Sequence, residues 1–255
     1  MKGMIWKSAI AAFSMYSKIP MPQSEWDEKS TRYLLCWFPA VGLVIGVASC
    51  ALMQILSRLG AGPLLTGTLL AALPILLTGG IHMDGFLDTV DARASCATRE
   101  KKLSILKDPH VGAFAVIFCV LYLLVSAGAW SAVTWRSMQI MALAFPMERA
   151  LSALLAFRLP DAREGGSLAR LKKDAASKKV SFILLVELAV LAAAMLVTSW
   201  KLAAVAIVIF ALTSLYYRLS TDKNFGGVTG DTAGWFLQSS ELAVLLALVI
   251  ADKII

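Results

Sequence analysis

The sequence predicts an all-α fold: a polytopic integral membrane helical bundle of about seven transmembrane helices, with its N-terminus cytoplasmic. Three observations predict it. Of the 255 residues, 58% are hydrophobic and only 16% are charged, with a mean hydropathy of +0.73; soluble domains carry about one quarter charged residues. Several apolar stretches approach the ~20 residues that a helix needs to cross a bilayer. The basic residues fall almost entirely on alternate connections between those stretches. Hydrocarbon offers the backbone no water, so the apolar runs must satisfy their own hydrogen bonds as helices. The long period-2 alternation of a lipid-facing barrel strand is absent.

The elements follow in order. In the segment 1–37, Trp6, Ile10 and Phe13 recur at helical spacing beside Lys2 and Lys7, which predicts a short interfacial helix. The apolar stretch there, Ala9 to Met15, is short and lacks an A-x-A-like cleavage site, so no cleaved signal is expected. Seven spans are expected at 38–57, 61–80, 112–135, 138–157, 181–200, 202–217 and 233–251. Pro39, Pro63, Pro74 and Pro146 lie near span ends or inside spans, where neighbouring helices can satisfy the freed carbonyls. Ser199, Trp200 and Lys201 alone divide the fifth span from the sixth, predicting a tight hairpin. No repeat or linker divides 1–255, which is read as a single membrane domain with polar loops 81–111, 158–180 and 218–232.

Orientation follows from the 24 basic residues, because cytoplasmic loops are enriched in Lys and Arg. With the N-terminus inside, five precede the first span, five lie in 81–111, seven in 158–180 and two in 218–232. Outer segments hold only Arg58, Arg136, Lys201 and Lys253, and Arg149 lies within a span. The net charge of +7 therefore needs no nucleic-acid partner, since topology and contact with anionic membrane lipid account for it. Cys36, Cys50, Cys96 and Cys119 form no C-x-x-C pair and are read as small hydrophobes rather than as a disulfide framework or zinc site.

The loop 81–111 opens with Gly79-Gly80-Ile81-His82-Met83-Asp84-Gly85-Phe86-Leu87-Asp88-Thr89-Val90-Asp91. Asp84, Asp88 and Asp91 stand at i, i+4 and i+7, which on a helix aligns three carboxylates along one face. Two carboxylates about 6 Å apart at an effective dielectric of about 20 repel by roughly 3 kcal/mol. A divalent cation would relieve that repulsion, and hard oxygen donors favour Mg²⁺ or Mn²⁺ over zinc. The other reading is a solvated face balanced by Arg93, Arg99, Lys101 and Lys102. His82 falls off the aspartate face and is read as a supporting or interfacial residue.

Three further segments share that side. Lys107-Asp108-Pro109-His110-Val111-Gly112 precedes the third span, Arg163-Glu164-Gly165-Gly166 lies in 158–180, and Phe225-Gly226-Gly227-Val228-Thr229-Gly230-Asp231-Thr232 opens the seventh span. Glycine-rich segments before helices can present backbone N–H groups to phosphate, though a glycine turn is ordinarily only a turn. Together, carboxylates, basic groups and glycine turns on one membrane face are the inventory of metal-assisted phosphate-group transfer. Within the spans, Glu148, Arg149, Glu187 and Glu241 are expected to face the bundle interior. Arg149 either binds an anionic substrate group or pairs with one of the glutamates.

These residues resemble the cobalamin synthase family over nearly the whole chain. The resemblance is carried by Phe13 through Pro22, by Phe38-Pro39-Ala40-Val41-Gly42-Leu43, and by the G-G-x-H-x-D-G-x-x-D-T-x-D-A run at 79–92. It continues in K-D-x-x-x-G at 107–112, Ala162-Arg163-Glu164-Gly165 and G-G-x-T-G-D-T at 226–232. The 79–92 and 226–232 motifs are its specific parts. Two positions depart from the family's pattern: His110 stands where arginine is common, and Glu148 precedes Arg149 where a small residue is usual. The resemblance implies a Mg²⁺-dependent enzyme of the cytoplasmic membrane, with its site on the cytoplasmic face, joining adenosylcobinamide-GDP to α-ribazole or its 5′-phosphate with release of GMP. Asp84, Asp88 and Asp91 would hold Mg²⁺, and Asp231 would complete the metal shell or act as base. Lys107, Asp108, Arg149, Arg163, Gly226, Gly227, Thr229 and Gly230 would contact the substrates. A homo-oligomer is compatible with the sequence.

Two other readings stand beside it. A CDP-alcohol phosphotransferase would also set aspartates beside a membrane helix, but its signature begins D-G-x-x-A-R, where this chain has D-G-x-x-D. A transporter would explain the intramembrane glutamates, yet the sequence lacks the paired broken helices such folds often carry.

Overall fold

A computed structural model describes residues 2–23, 28–163 and 165–255. Glu164 of the Arg163-Glu164-Gly165-Gly166 segment lies outside the described residues, as do 24–27 of the N-terminal segment and the side chain of Lys2. The described residues are helical and strand-free apart from an isolated bridge between Asp161 and Val228. The chain begins with α1 (Lys2–Tyr16), the single turn α2 (Glu28–Thr31) and a 3-10 turn at Leu34–Cys36. α1 is buried all round from Ser8 to Ala12 and exposed at Trp6, so its middle packs into the bundle rather than lying on a surface by one face as expected.

The bundle comprises α3 (Phe38–Arg58), α4 (Pro63–Thr78), α5 (Ile81–Ala94), α6 (Arg99–Ile105), α7 (Ala113–Trp130), α8 (Trp135–Arg158), α9 (Ser167–Asp174), α10 (Ser177–Phe225) and α11 (Gly230–Ala251). Among the described residues α3 (with the 3-10 turn before it), α7, α8, α10 and α11 are long and apolar enough to cross a membrane, and the bent pair α4–α5 adds a sixth if counted as one. The helical membrane architecture expected from composition is therefore present.

Three features differ in detail from the expected spans. α4, with 16 residues, rises about 24 Å, and it ends where Gly79 and Gly80 adopt left-handed φ values of 65° and 78°. Those glycines admit a turn that swings α5 through 97°, so the segment expected as a polar loop starts as a helix. α10 is 49 residues long but is broken at Ser199, whose φ of −161° and ψ of 97° are not helical. The break sits at the expected hairpin. Both α10 termini approach the same end of the bundle: Ala176 N donates to Arg32 O, and Val228 N just past the helix donates to Pro160 O. Ser199 meets Arg136 at the opposite end. Finally, residues 218–225, expected as loop, extend the helix, because no breaker intervenes before Gly226, which caps it at φ 75°.

The two ends differ chemically. One gathers Asp91 with Gly112, Asp161 with Lys172, and Arg163 with Asp231. The other holds Arg136 with Asp252 and Lys201 with the Ile255 carbonyl. Between them α8 forms the centre, burying Met138, Ile140, Met141, Ala144, Phe145, Ala150 and Ala153 against α3, α10 and α11.

α3 approaches α8 through Gly42 and Gly46, a small-xxx-small pair that lets two membrane helices touch along their backbones. A Cβ on Gly42 would lie 2.5 Å from the Phe145 carbonyl oxygen, and one on Gly46 would collide with the Ala142 carbonyl. Ala142 is four residues before Pro146, whose ring removes the hydrogen bond that carbonyl would accept. Gly46→Val is expected to cost about 1–3 kcal/mol through forced separation of α3 from α8. A lowered midpoint in detergent-solubilised thermal unfolding checks this, and an unchanged midpoint would refute the close-contact reading.

Candidate active site

The site forms where α5 crosses the start of α11. A Cβ on Gly85 would lie 2.7 Å from the Asp231 carbonyl oxygen, and one on Gly234 would lie 2.9 Å from the His82 carbonyl oxygen. Glycine on both helices at the crossing therefore brings the aspartate face of α5 against Asp231. α5 follows the apolar span expected at 61–80, and along it Asp84 is exposed while Asp88 and Asp91 are half-buried. Asp88 reports their convergence: burial first, then the charges of Asp84, Asp231 and Asp91, push its carboxyl from 3.8 up to about 6. Carboxylates on α5 and α11, nearly 150 residues apart in sequence, thus share one field.

Asp91 is also drawn toward α7. Its carboxylate lies where a Gly112 side chain would begin, at the start of a helix whose N-cap residue, Gly112, offers no side-chain cap. A helix N-terminus favours an anion by about 0.3–1 kcal/mol, and only glycine leaves room for this one. The K-D-x-x-x-G motif therefore connects to the aspartate run through its final glycine. Lys107, Asp108 and His110 are all exposed, and Asp108 is engaged within its own turn. It accepts from the His110 amide at 3.0 Å and pairs with the His110 ring at 2.7 Å, contacts that hold its carboxyl below the usual range.

Asp231 is anchored through one oxygen. Arg163 Nη2 donates to Oδ2 at 3.1 Å, and the Thr229 hydroxyl donates to the same atom at 3.3 Å. Thr229 caps α11 in a reciprocal arrangement with Thr232, which fixes the first turn carrying Asp231. The glycines beside it serve different ends. Gly226 terminates α10 under Arg99, Gly227 lets the backbone approach Pro160 and Ala162, and Gly230 starts α11 in comparatively open space. That approach includes backbone hydrogen bonds from Ala162 N to the Val228 carbonyl and from Val228 N to the Pro160 carbonyl, which tie the Arg163 loop to the Asp231 turn. A small polar cleft lined by Asp161, Arg163, Ser167, Thr229 and Asp231 opens at the junction.

Asp161 and Lys172 carry no signal in the sequence motifs, and Arg99, expected only as a counter-charge to the aspartate face, instead caps the end of α10. Lys172 Nζ reaches Asp161 at 2.7 Å and the Leu159 carbonyl at 3.1 Å, holding α9 to the loop. Arg99 donates to the Asp222 carbonyl at 2.9 Å. For Asp161 and Lys172 the only signal was membership in a basic loop, where such residues are common.

Arg149 lies apart from the aspartates, in the bundle interior. It is 1% exposed, pairs with Glu148 at 2.6 Å, and donates to the Phe145 carbonyl at 3.0 Å. Glu241 is buried on α11, where Gln238 accepts the Tyr122 hydroxyl at 2.5 Å. His82 is buried against the rings of Tyr16 and Phe38. Burial and then the Arg149 guanidinium push its imidazole well below the usual range.

Among the described residues no three His, Cys, Asp or Glu side chains are assembled as a metal-binding group. The four carboxylates share a field rather than a closed ligand set. Their oxygen-only chemistry fits Mg²⁺, and the raised Asp88 carboxyl shows that extra negative charge is resisted there. Because that carboxyl is raised, Asp88 favours the folded state below its ordinary value of 3.8, and the contribution is lost as pH rises toward about 6. Asp88→Asn is therefore expected to stabilise the metal-free protein at neutral pH by roughly 1 kcal/mol after solvent screening. Thermal unfolding in chelator at acidic and neutral pH checks this; equal midpoints for variant and wild type at neutral pH would contradict it.

Apolar helices with glycine-mediated crossings and an acidic, arginine-supported cluster at one end define an integral membrane protein with a polar site at the ends of its helices. The chain belongs to the cobalamin-5-phosphate synthase family, whose model matches residues 8–249. It is 42% identical over 253 residues to the adenosylcobinamide-GDP ribazoletransferase of Lachnoclostridium phytofermentans, covering 99% of this chain and 97% of that one. Proteins of the same description from Clostridium perfringens and Brevibacillus brevis are each 34% identical, the first over 95% of this chain and 97% of its own, the second over 93% and 96%. No solved structure matches the chain significantly.

Proposed function

We propose that this chain is an adenosylcobinamide-GDP ribazoletransferase, joining adenosylcobinamide-GDP to α-ribazole or its 5′-phosphate and releasing GMP. The convergence of Asp84, Asp88, Asp91 and Asp231 at the α5–α11 crossing carries this reading, since it gathers both family-specific motifs into one acidic cluster. Asp84, Asp88 and Asp91 would hold Mg²⁺, which when bound supplies positive charge against diphosphate oxygens. In the transfer, a ribose hydroxyl of the ribazole forms a bond to the cobinamide-linked phosphorus. The bond from that phosphorus to the GMP oxygen breaks, and GMP leaves with the electron pair.

Asp231 is suited to receive the hydroxyl proton. Arg163 and Thr229 hold its Oδ2, leaving Oδ1 for the reacting group, and a base must lie within hydrogen-bond reach of the proton it takes. The Arg163 guanidinium, paired with Asp231 at the start of α11, would serve as a contact for a phosphate oxygen. Lys107 and Asp108 on the exposed turn, and Gly226, Gly227, Thr229 and Gly230 at the α11 entry, are assigned to substrate contact. Arg149 is assigned to supporting the bundle.

The basic residues concentrate at the site's end of the bundle, which supports a cytoplasmic site and N-terminus. Dividing α10 at Ser199 and counting α4, with its turn into α5, as one crossing supports seven crossings.

The test is GMP release by lipid-reconstituted protein given adenosylcobinamide-GDP and α-ribazole, with and without Mg²⁺. Release requiring both substrates and the ion supports the assignment. No release from folded protein would overturn it.

A further inference from the structure

A second cavity, of about 980 Å³, lies between α3, α8 and the first arm of α10, with the 3-10 turn at its polar end. Its walls include Leu43, Pro146 and Val190, and Leu43 and Val190 are 50% and 61% exposed. At its polar end stand Arg32 and Lys179, both exposed and neither paired with a carboxylate among the described residues.

Lys179 lies in the first turn of α10. That helix starts at Ala176 without a side-chain cap and has no acidic residue in its first turn, but it carries Lys178 and Lys179 there. Helix N-termini favour anions and disfavour cations, so these lysines reinforce a positive end that the described chain leaves unbalanced. Beneath the cations the cavity is apolar. Glu187, its polar exception, is eight residues further along α10 and therefore about 12 Å deeper, below the level of the charges.

We propose that this cavity binds an anionic phospholipid, with its phosphate between Arg32 and Lys179 at the α10 N-terminus and an acyl chain along α3 and α10. A free phosphate would use the cations but leave the apolar cavity without a role. A zwitterionic lipid would fill the cavity but present an ammonium to the cationic rim. Only an anionic amphiphile matches both parts, and none of the residues belongs to the carboxylate site.

The test is lipid retention, which is independent of turnover. Full-length protein is reconstituted in equal parts phosphatidylglycerol and phosphatidylcholine, extracted in mild detergent, and its retained lipid is quantified by native mass spectrometry. The wild type is expected to retain phosphatidylglycerol preferentially. Removing each cation should lower that preference by roughly fivefold, with Arg32→Ala and Lys179→Ala combined losing most of it. Ala40→Trp, which fills the cavity, should reduce retention of both lipids, whereas Lys223→Ala, outside the cavity, should behave as wild type. Unchanged preference in the double variant would overturn the proposal, as would displacement of the lipid by inorganic phosphate.

Discussion

Asp84→Asn is expected to lower turnover by about 10²–10³-fold, the loss typical of removing one preorganised electrostatic group, while the protein inserts and folds normally. Asp84 is exposed at the start of α5, its side chain makes no hydrogen bond or ion pair among the described residues, and its backbone amide donates to Gly80 within the turn. Nothing structural depends on its charge. The amide keeps the shape while removing one of the negative charges felt by Asp88. Measuring GMP release together with thermal unfolding separates the effects. Near-native activity would remove Asp84 from the reaction, and a lowered midpoint would assign it to the fold instead.

Arg149→Met is expected to destabilise the protein by about 3–5 kcal/mol, because breaking a buried ion pair leaves an uncompensated charge. Glu148 is completely buried and Glu241 is 4% exposed; among the described residues Arg149 is the cation that acts on both. The triple variant Arg149→Met, Glu148→Gln, Glu241→Gln removes the whole charge set and should recover most of the lost stability. Its activity then decides the role of Arg149. Retained turnover in the refolded triple variant means that the arginine supports the bundle, whereas a stable but inactive variant would restore it as a phosphate-binding residue. The interior position and the 2.6 Å pair with Glu148 favour the first outcome.

Much of the architecture was legible because bilayer physics acts on local composition. A run of about 20 apolar residues must be helical, and α3, α7, α8 and α11 begin and end within a few residues of their expected spans. The break at Ser199 was visible as three residues separating two apolar runs. Helix outside the membrane was less legible: in 81–94 and 218–225 the polar composition suits a loop as well as a solvated helix. The 97° turn before α5 and the continuation of α10 depend on where glycines take positive φ, which motif spacing does not reveal.

The candidate site divides in the same way. The i, i+4, i+7 spacing by itself determined that Asp84, Asp88 and Asp91 would share a face once their segment was helical, because that follows from 3.6 residues per turn. Apolar length and the distribution of Lys and Arg likewise determined a membrane bundle with one polar end. Only the tertiary structure decided that Asp231 joins that face, that Gly85 and Gly234 make the approach, that Gly112 receives Asp91, and that Arg149 turns inward to Glu148. The physical reason is range: helix formation and membrane insertion are set by neighbouring residues, whereas a carboxylate cluster drawn from separate helices exists only after their backbones have packed.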